Sequence, residues 1–109
     1  MRSIFISVAL LFLIVVPLTA GEVTSHNVTT SDGVRIYYET EGKGIPVIMI
    51  AGGPGGSPSF YRGTHQLWLP YGKLVYVHNR GRGKSEILDS IPDAYSPEKD
   101  VLDIDAVRK

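Results

Sequence analysis

The sequence has no cysteine among its 109 residues, so neither a disulfide nor a lipid carried on a cysteine is open to it. Nor has it an excess of charge: Lys and Arg number 11 and Asp and Glu number 11, with no run of either sign. That balance excludes the basic footprint of a nucleic-acid binder and the acidic tail of a solvating partner. Internal repeats and low-complexity tracts are missing, which leaves room for one short domain. No apolar run reaches the roughly 18 residues that a membrane-crossing helix takes. No group of His, Asp and Glu has metal-ligand spacing, and no metal or cofactor is expected.

What is present begins with a segment to set apart. Arg2 supplies a positive start, Ile4 to Val16 is apolar apart from Ser7, and Pro17-Leu18-Thr19-Ala20 leads into polar sequence. A charged start, a short apolar run and a small-residue exit describe an export signal. Residues 1–20 are therefore expected to be a signal peptide cleaved near Ala20 or Gly21. The product would be secreted or periplasmic, with its domain over residues 21–109. Asn27-Val28-Thr29 has the form of a glycosylation sequon, with meaning only in a eukaryotic secretory route.

Two β-rich runs, Val23 to Thr30 and Val34 to Thr40, flank Ser31-Asp32-Gly33 and predict a hairpin. Pro46 to Ile50 is apolar throughout, the pattern of a strand covered on both faces. Ser59 to Leu69 is read as helix, Leu74 to Val77 as a further buried strand. Ser96 is a good N-cap, with Pro97 at the first helical position and Glu98 complementing the dipole. Beyond it Val101, Ile104 and Val107, with Leu102 and Ala106 beside them, predict one buried stripe of an amphipathic helix. A hairpin, then two strands each followed by a glycine-rich segment, with helix between and after, is the opening of an α/β fold. Its ligand side lies at the carboxyl ends of the strands.

Those glycine segments, "AGGPGGS" and "HNRGRGKS", allow another group to approach the main-chain N–H closely. A Walker loop fails on spacing, because His78 stands where its first glycine belongs. A dinucleotide fingerprint fails for want of a third glycine, so no nucleotide is expected. An oxyanion hole fits, since one of its donors in α/β-hydrolases is a backbone N–H after the third strand.

"PVIMIAGGPGGS" followed by "LVYVHNRGRGKS" resembles the prolyl-iminopeptidase-like branch of the α/β-hydrolase superfamily, with its His-Gly-Gly-Pro-Gly and Asp-Gln-Arg-Gly-x-Gly-x-Ser segments. The closing "DIDAVRK" is similar to the family's Asp-Ile-Glu-x-Leu-Arg helix. The resemblance implies the amino-terminal part of an α/β-hydrolase fold. It implies Gly53 as oxyanion donor, with Gly52, Pro54 and Gly55 shaping that loop. Arg80, Gly81, Gly83 and Ser85 become a supporting turn beside it. Ala51 departs from the family's histidine and His78 from its aspartate, and Asn79 stands in place of glutamine.

Acyl transfer of this kind needs a nucleophile, a base and an orienting acid. The nearest approach to Gly-x-Ser-x-Gly is Gly55-Gly56-Ser57-Pro58-Ser59, which lacks the last glycine and comes too early. By resemblance the nucleophile, acid and base lie beyond Lys109. His26 is read as a surface residue, His65 as a half-buried helix residue, and His78 as a strand-end residue outside catalysis. The expectation is an exported serine hydrolase acting on a small-molecule or peptide substrate, an aminopeptidase among the options. It is present here as a truncated chain that is inactive alone. The alternative is a non-catalytic exported remnant or small binding module.

Overall fold

The computed structural model describes residues 22–52, 56, 58 and 62–109. The expected signal peptide, the loop residues Gly53, Pro54 and Gly55, and Ser57 lie outside these.

Asp32 and Gly33 turn the chain back on itself: Gly33 N–H donates to Thr30 O at 3.0 Å and Thr30 N–H to Val34 O at 2.9 Å. Gly33 takes a positive φ of 86°, a conformation that costs a side-chain-bearing residue dearly. The turn joins β1 (Val23–Thr29) to β2 (Arg35–Glu41), which pair antiparallel from Val23 opposite Glu41 to Thr29 opposite Arg35. β3 (Pro46–Met49) follows. The expected helix over 59–69 is, among the described residues, a single α-turn, α1 (Arg62–His65), running into a 3-10 stretch over Gln66–Tyr71. Pro70 accounts for the break in α geometry, because it has no N–H to donate and in an α-helix its ring would clash with the carbonyl of Gln66, four residues before it. β4 (Lys73–His78) and α2 (Pro97–Arg108) complete the order.

The four strands form one mixed sheet in the order β1-β2-β4-β3. β4 lies antiparallel to β2, with Tyr37 opposite His78 and Glu41 opposite Leu74. It lies parallel to β3, with Pro46 opposite Lys73 and Met49 opposite Tyr76. Chain order and spatial order differ here, and one expectation changes with it. β3 is an edge strand with Pro46 and Val47 exposed, where its unbroken apolar run suggested cover on both faces. β4 is the strand buried along nearly its whole length.

The two faces of the sheet differ in chemistry. One carries Ile36, Val75 and Val77, fully or nearly buried with Val34, Leu88 and Ala94, and Val28, Tyr38, Ile48, Ile104 and Val107 pack around them. α2 closes this face. The other carries Tyr37 and Glu39 from β2 beside His78 and Tyr76 from β4. Over it Arg62 pairs with Glu39 and sets its guanidinium 5.2 Å from the centre of the Tyr76 ring.

α2 begins as its sequence indicates. Ser96 is extended, its side chain accepts from Lys99 N–H at 3.3 Å, and Pro97 is the first helical residue. The buried stripe is not the expected one. Ile104 and Val107 pack on the core, but Val101 is 66% exposed and the fully buried residue of the helix is Asp103. The helix turns a carboxylate inward because a cation waits there.

Ile36→Ala is expected to cost about 2–5 kcal/mol in urea unfolding, as deletion from a packed core does. Val101→Ala should stay within about 0.5 kcal/mol of the parent. Equal costs at the two positions would contradict this division of the apolar residues.

Candidate functional site

Parallel pairing of β3 and β4 sends both strands out at the same end of the sheet. Ala51 and Gly52 follow β3 there, and Asn79 to Ser85 follow β4. The sequence's two glycine-rich segments therefore start side by side.

The second is a tight turn. Arg82 N–H donates to Asn79 O at 3.0 Å, Ser85 N–H to Arg82 O at 3.1 Å, and Gly81 N–H to Glu86 O at 2.8 Å. Gly81 and Gly83 both take positive φ, at 72° and 52°. At each, a Cβ would collide with an aromatic ring: Tyr95 at Gly81, His78 at Gly83. Glycine is required twice over, by conformation and by room. Ser85 closes the turn. Its hydroxyl donates to His78 O and accepts from Tyr37 N–H at 2.8 Å, tying the end of β4 to β2. Glu86 anchors the far side, since its N–H donates to Arg35 O and its carboxylate accepts from Arg35 N–H at 2.9 Å.

Arg80 is the centre of this turn. Its side chain is 1% exposed, and a cation so buried has to be paired. Nε and Nη2 donate to Asp103 Oδ1 at 3.0 and 2.8 Å, while the backbone N–H of Arg80 donates to Asp103 Oδ2 at 2.8 Å. Nη1 and Nη2 donate to the two oxygens of Asp32 at 2.7 and 3.0 Å. One guanidinium thus joins the β1–β2 turn, the β4 turn and α2. Its fork of five N–H donors suits two carboxylates at once. The hydrogen bonds from Arg80, and then from the Thr30 hydroxyl, hold the Asp32 carboxyl far below the usual carboxylate range. Arg80 is raised in turn, chiefly by Asp32.

His78, standing where the resemblance has aspartate, is 2% exposed. Its Nδ1 accepts from Lys84 N–H at 3.1 Å, and its ring meets that of Tyr37 edge-on at 4.9 Å. A neutral imidazole does here what a carboxylate would do, accepting from a turn amide. Burial first, then the charges of Lys84 and Arg62, push its pKa below the ordinary value of 6.5. With Nδ1 accepting, the proton resides on Nε2.

A cleft of about 370 Å³ opens at this end of the sheet, between the exit of β3 and α2, walled by Ile50, Ala51, Asn79, Arg82, Val101 and Ile104. Asn79 and Arg82 contribute polar groups from the turn, and Asp100, Asp105 and Arg108 contribute charged ones from α2.

The structure thus gathers four of the residues singled out from sequence, Arg80, Gly81, Gly83 and Ser85, into one turn. Gly52 follows β3 beside it, and Gly53, Pro54 and Gly55 lie outside the described residues. His26 stacks on Tyr38 at 4.8 Å and bonds Thr40 Oγ1 at 3.1 Å, on the sheet rather than at this end. Among the described residues no group of three His, Cys, Asp or Glu could hold a metal ion. The sequence reading missed Asp32 and Asp103. The signal for Asp103 was the "DID" that opens the family-like helix segment, a carboxylate on the inward side of α2.

Comparison with known proteins agrees with this geometry. No family model matches the chain. It is 28% identical over 81 residues to proline iminopeptidase of Lactobacillus helveticus, a match covering 71% of this chain and 28% of that protein. Among solved structures, an esterase from Exiguobacterium antarcticum superposes with a TM-score of 0.66 at 28% identity, over 77% of this chain and 30% of that one. An alpha/beta hydrolase from Sphaerobacter thermophilus superposes with a TM-score of 0.64 at 26% identity, over 75% and 30%. The chain spans less than a third of the length of each of these relatives.

The state of His78 sets a pH dependence. Its folded pKa lies below the unfolded one, so its contribution is full above pH 6.5 and is lost as pH falls through the folded value. Unfolding free energy is expected to decline from about pH 6.5 downward in the parent, and this limb should vanish in His78→Asn. A limb of unchanged size in that variant would contradict the assignment.

Proposed function

We propose, on the premise that this chain corresponds to the amino-terminal portion of an α/β-hydrolase of the prolyl-iminopeptidase-like branch, that it serves an exported serine hydrolase cleaving peptide or ester bonds. The observation carrying this reading is the pairing of two glycine-rich segments at the carboxyl ends of neighbouring parallel strands. The second of them is fixed by Arg80, Asp103 and Asp32. A rigid frame beside a bare main chain is what electrostatic catalysis of acyl transfer needs. The charge on the carbonyl oxygen develops only during reaction, and a donor already in place stabilises it without reorganisation.

In this reading the backbone N–H of Gly53 is one oxyanion donor, and Gly52, Pro54 and Gly55 shape its loop. The turn from Arg80 to Ser85 touches no substrate. It keeps the end of β4 still, so that the neighbouring exit from β3 has a fixed wall. Nucleophile, base and orienting acid come from sequence that follows Lys109, and the substrate is a peptide or small ester, an N-terminal aminoacyl group included. Residues 1–20 direct export and are removed.

A second reading has two observations in its favour. The 109 residues contain no Gly-x-Ser-x-Gly, while the cleft beside Ala51 and Val101 has the size of a small apolar ligand. A non-catalytic exported binding module would fit both facts.

The product of the complete reading frame, assayed with aminoacyl and acetyl ester chromogens, separates the two readings. Turnover is expected there and not in residues 22–109 alone. Gly53→Val keeps the backbone N–H but its side chain would push the donor out of position, so kcat should fall toward the about 10²–10³ that loss of an oxyanion donor costs, with little change in KM. A natural product whose intact mass matches the 109-residue chain, less its signal, would favour the binding module. Undiminished turnover in Gly53→Val would overturn the oxyanion assignment.

A further inference from the structure

The end of the sheet opposite the glycine segments presents a different surface. β2 finishes there at Glu41, while β3 and β4 start there at Pro46 and Lys73. Lys73 N–H donates to Ile45 O at 2.9 Å, and a Cβ at Gly72 would collide with that same oxygen. The segments entering β3 and β4 therefore meet main chain to main chain. Four large apolar residues of these two segments are exposed. Ile45, before β3, is 77% exposed; Leu67, Trp68 and Tyr71, in the 3-10 stretch before β4, are 81%, 55% and 79% exposed. The rings of Trp68 and Tyr71 lie 6.3 Å apart, edge to face. Apolar residues exposed singly need no explanation, but several gathered around one junction mark a contact surface.

Two features say what covers it. The first is charge. Lys43 is exposed and Lys73 half-buried, and neither enters an ion pair among the described residues. Of the acids at this end, Glu41 is 1% exposed, and Glu22 precedes β1, with β2 standing between that strand and β4. Indole and phenol rings, aliphatic side chains and unpaired lysines on one surface are the composition that suits the headgroup layer of a bilayer. Aromatic rings settle at that interface and cations are drawn to anionic lipid. The second feature is where the chain comes from. Val23 pairs with Glu41, so β1 starts at this same end, and the apolar run Ile4 to Val16 shortly precedes it in the sequence.

We infer that this end of the sheet docks on an anionic lipid surface. Ile45, Leu67, Trp68 and Tyr71 enter the headgroup layer, and Lys43 and Lys73 meet its phosphates. The glycine segments, at the other end of the strands, then face the aqueous side. The inference takes its second feature from the export reading and holds whether or not the product is a hydrolase.

Vesicle co-sedimentation of the complete reading-frame product, beginning at Glu22 so that the leader contributes nothing, tests this. On equal parts of phosphatidylcholine and phosphatidylglycerol, the product is expected to pellet at low salt. Trp68→Ser and Tyr71→Ser should each weaken partitioning about tenfold, the effect of removing an apolar ring from the interface. Lys43→Ala and Lys73→Ala should each weaken it about fivefold and leave binding to phosphatidylcholine alone unchanged. None of the four side chains is buried, so urea midpoints should stay with the parent's. Trp68 emission, read as the difference between the product and its Trp68→Phe variant, should move to shorter wavelength when vesicles are added. Absence of pelleting, or equal pelleting of parent and Tyr71→Ser, would overturn the docking. Equal binding to both kinds of vesicle would overturn the part given to the lysines. A dimer that Tyr71→Ser dissolves, with no lipid bound, would overturn the lipid surface and assign this end to a second copy of the chain. Pelleting by a product that shows no turnover, or that cells retain instead of exporting, would support the docking while removing that part of the reading above.

Discussion

A single buried guanidinium holds this structure together at the place where chemistry is proposed. Arg80 donates to Asp103 on α2 and to Asp32 in the β1–β2 turn, while its own N–H adds a third tie to Asp103. Each group would be costly alone. A buried cation without partners, or the fully buried carboxylate of Asp103 without its cation, carries a penalty of several kcal/mol. Together they fix the relative placement of hairpin, turn and helix by direction as well as by charge. An apolar residue of equal volume could fill the space, but it would not set the angle of the turn that follows β4. The pair acts as a device of geometry.

From that constraint the rest of the site follows in order. With Arg80 fixed, Gly81 and Gly83 run at positive φ beneath Tyr95 and His78, and Ser85 reaches back to β2. His78 is then enclosed, its protonation set by the turn amide at Nδ1 and by burial. The exit of β3 lies alongside. The sheet reinforces this division of labour. The face under α2 is apolar and supplies the burial that stabilises so short a chain. The opposite face is mixed: Leu74, Val47 and Met49 share it with Glu39, Tyr76 and His78, and Arg62 pairs with Glu39 over the Tyr76 ring.

Much of this was legible in the sequence because it is local. Asp32-Gly33 between alternating runs specified the hairpin, Ser96-Pro97 specified where α2 starts, and the two glycine segments, each directly after an apolar run, indicated two strand exits, which the structure sets at one end of the sheet. What escaped was relational. The exposure of β3 depends on strand order, which no apolar run records. Val101 and Ile104 are alike in sequence, yet only one meets the core, because the helix is rotated to bring Asp103 to Arg80. The shortening of the expected helix into a 3-10 stretch turned on Pro70. The role of His78 could not be read from a mismatch with a family pattern; it required the position of the Lys84 amide.

The central claim is that Arg80 and Asp103 act as one unit, and a double-mutant cycle in equilibrium unfolding measures this directly. Arg80→Met is expected to cost about 3–5 kcal/mol, because it strands the buried carboxylate of Asp103, and Asp103→Leu somewhat less, because Arg80 keeps its bonds to Asp32. The double variant should cost far less than the sum, with a coupling of at least about 2 kcal/mol, near the upper end for residues in one network. Additive costs within about 0.5 kcal/mol would contradict the account.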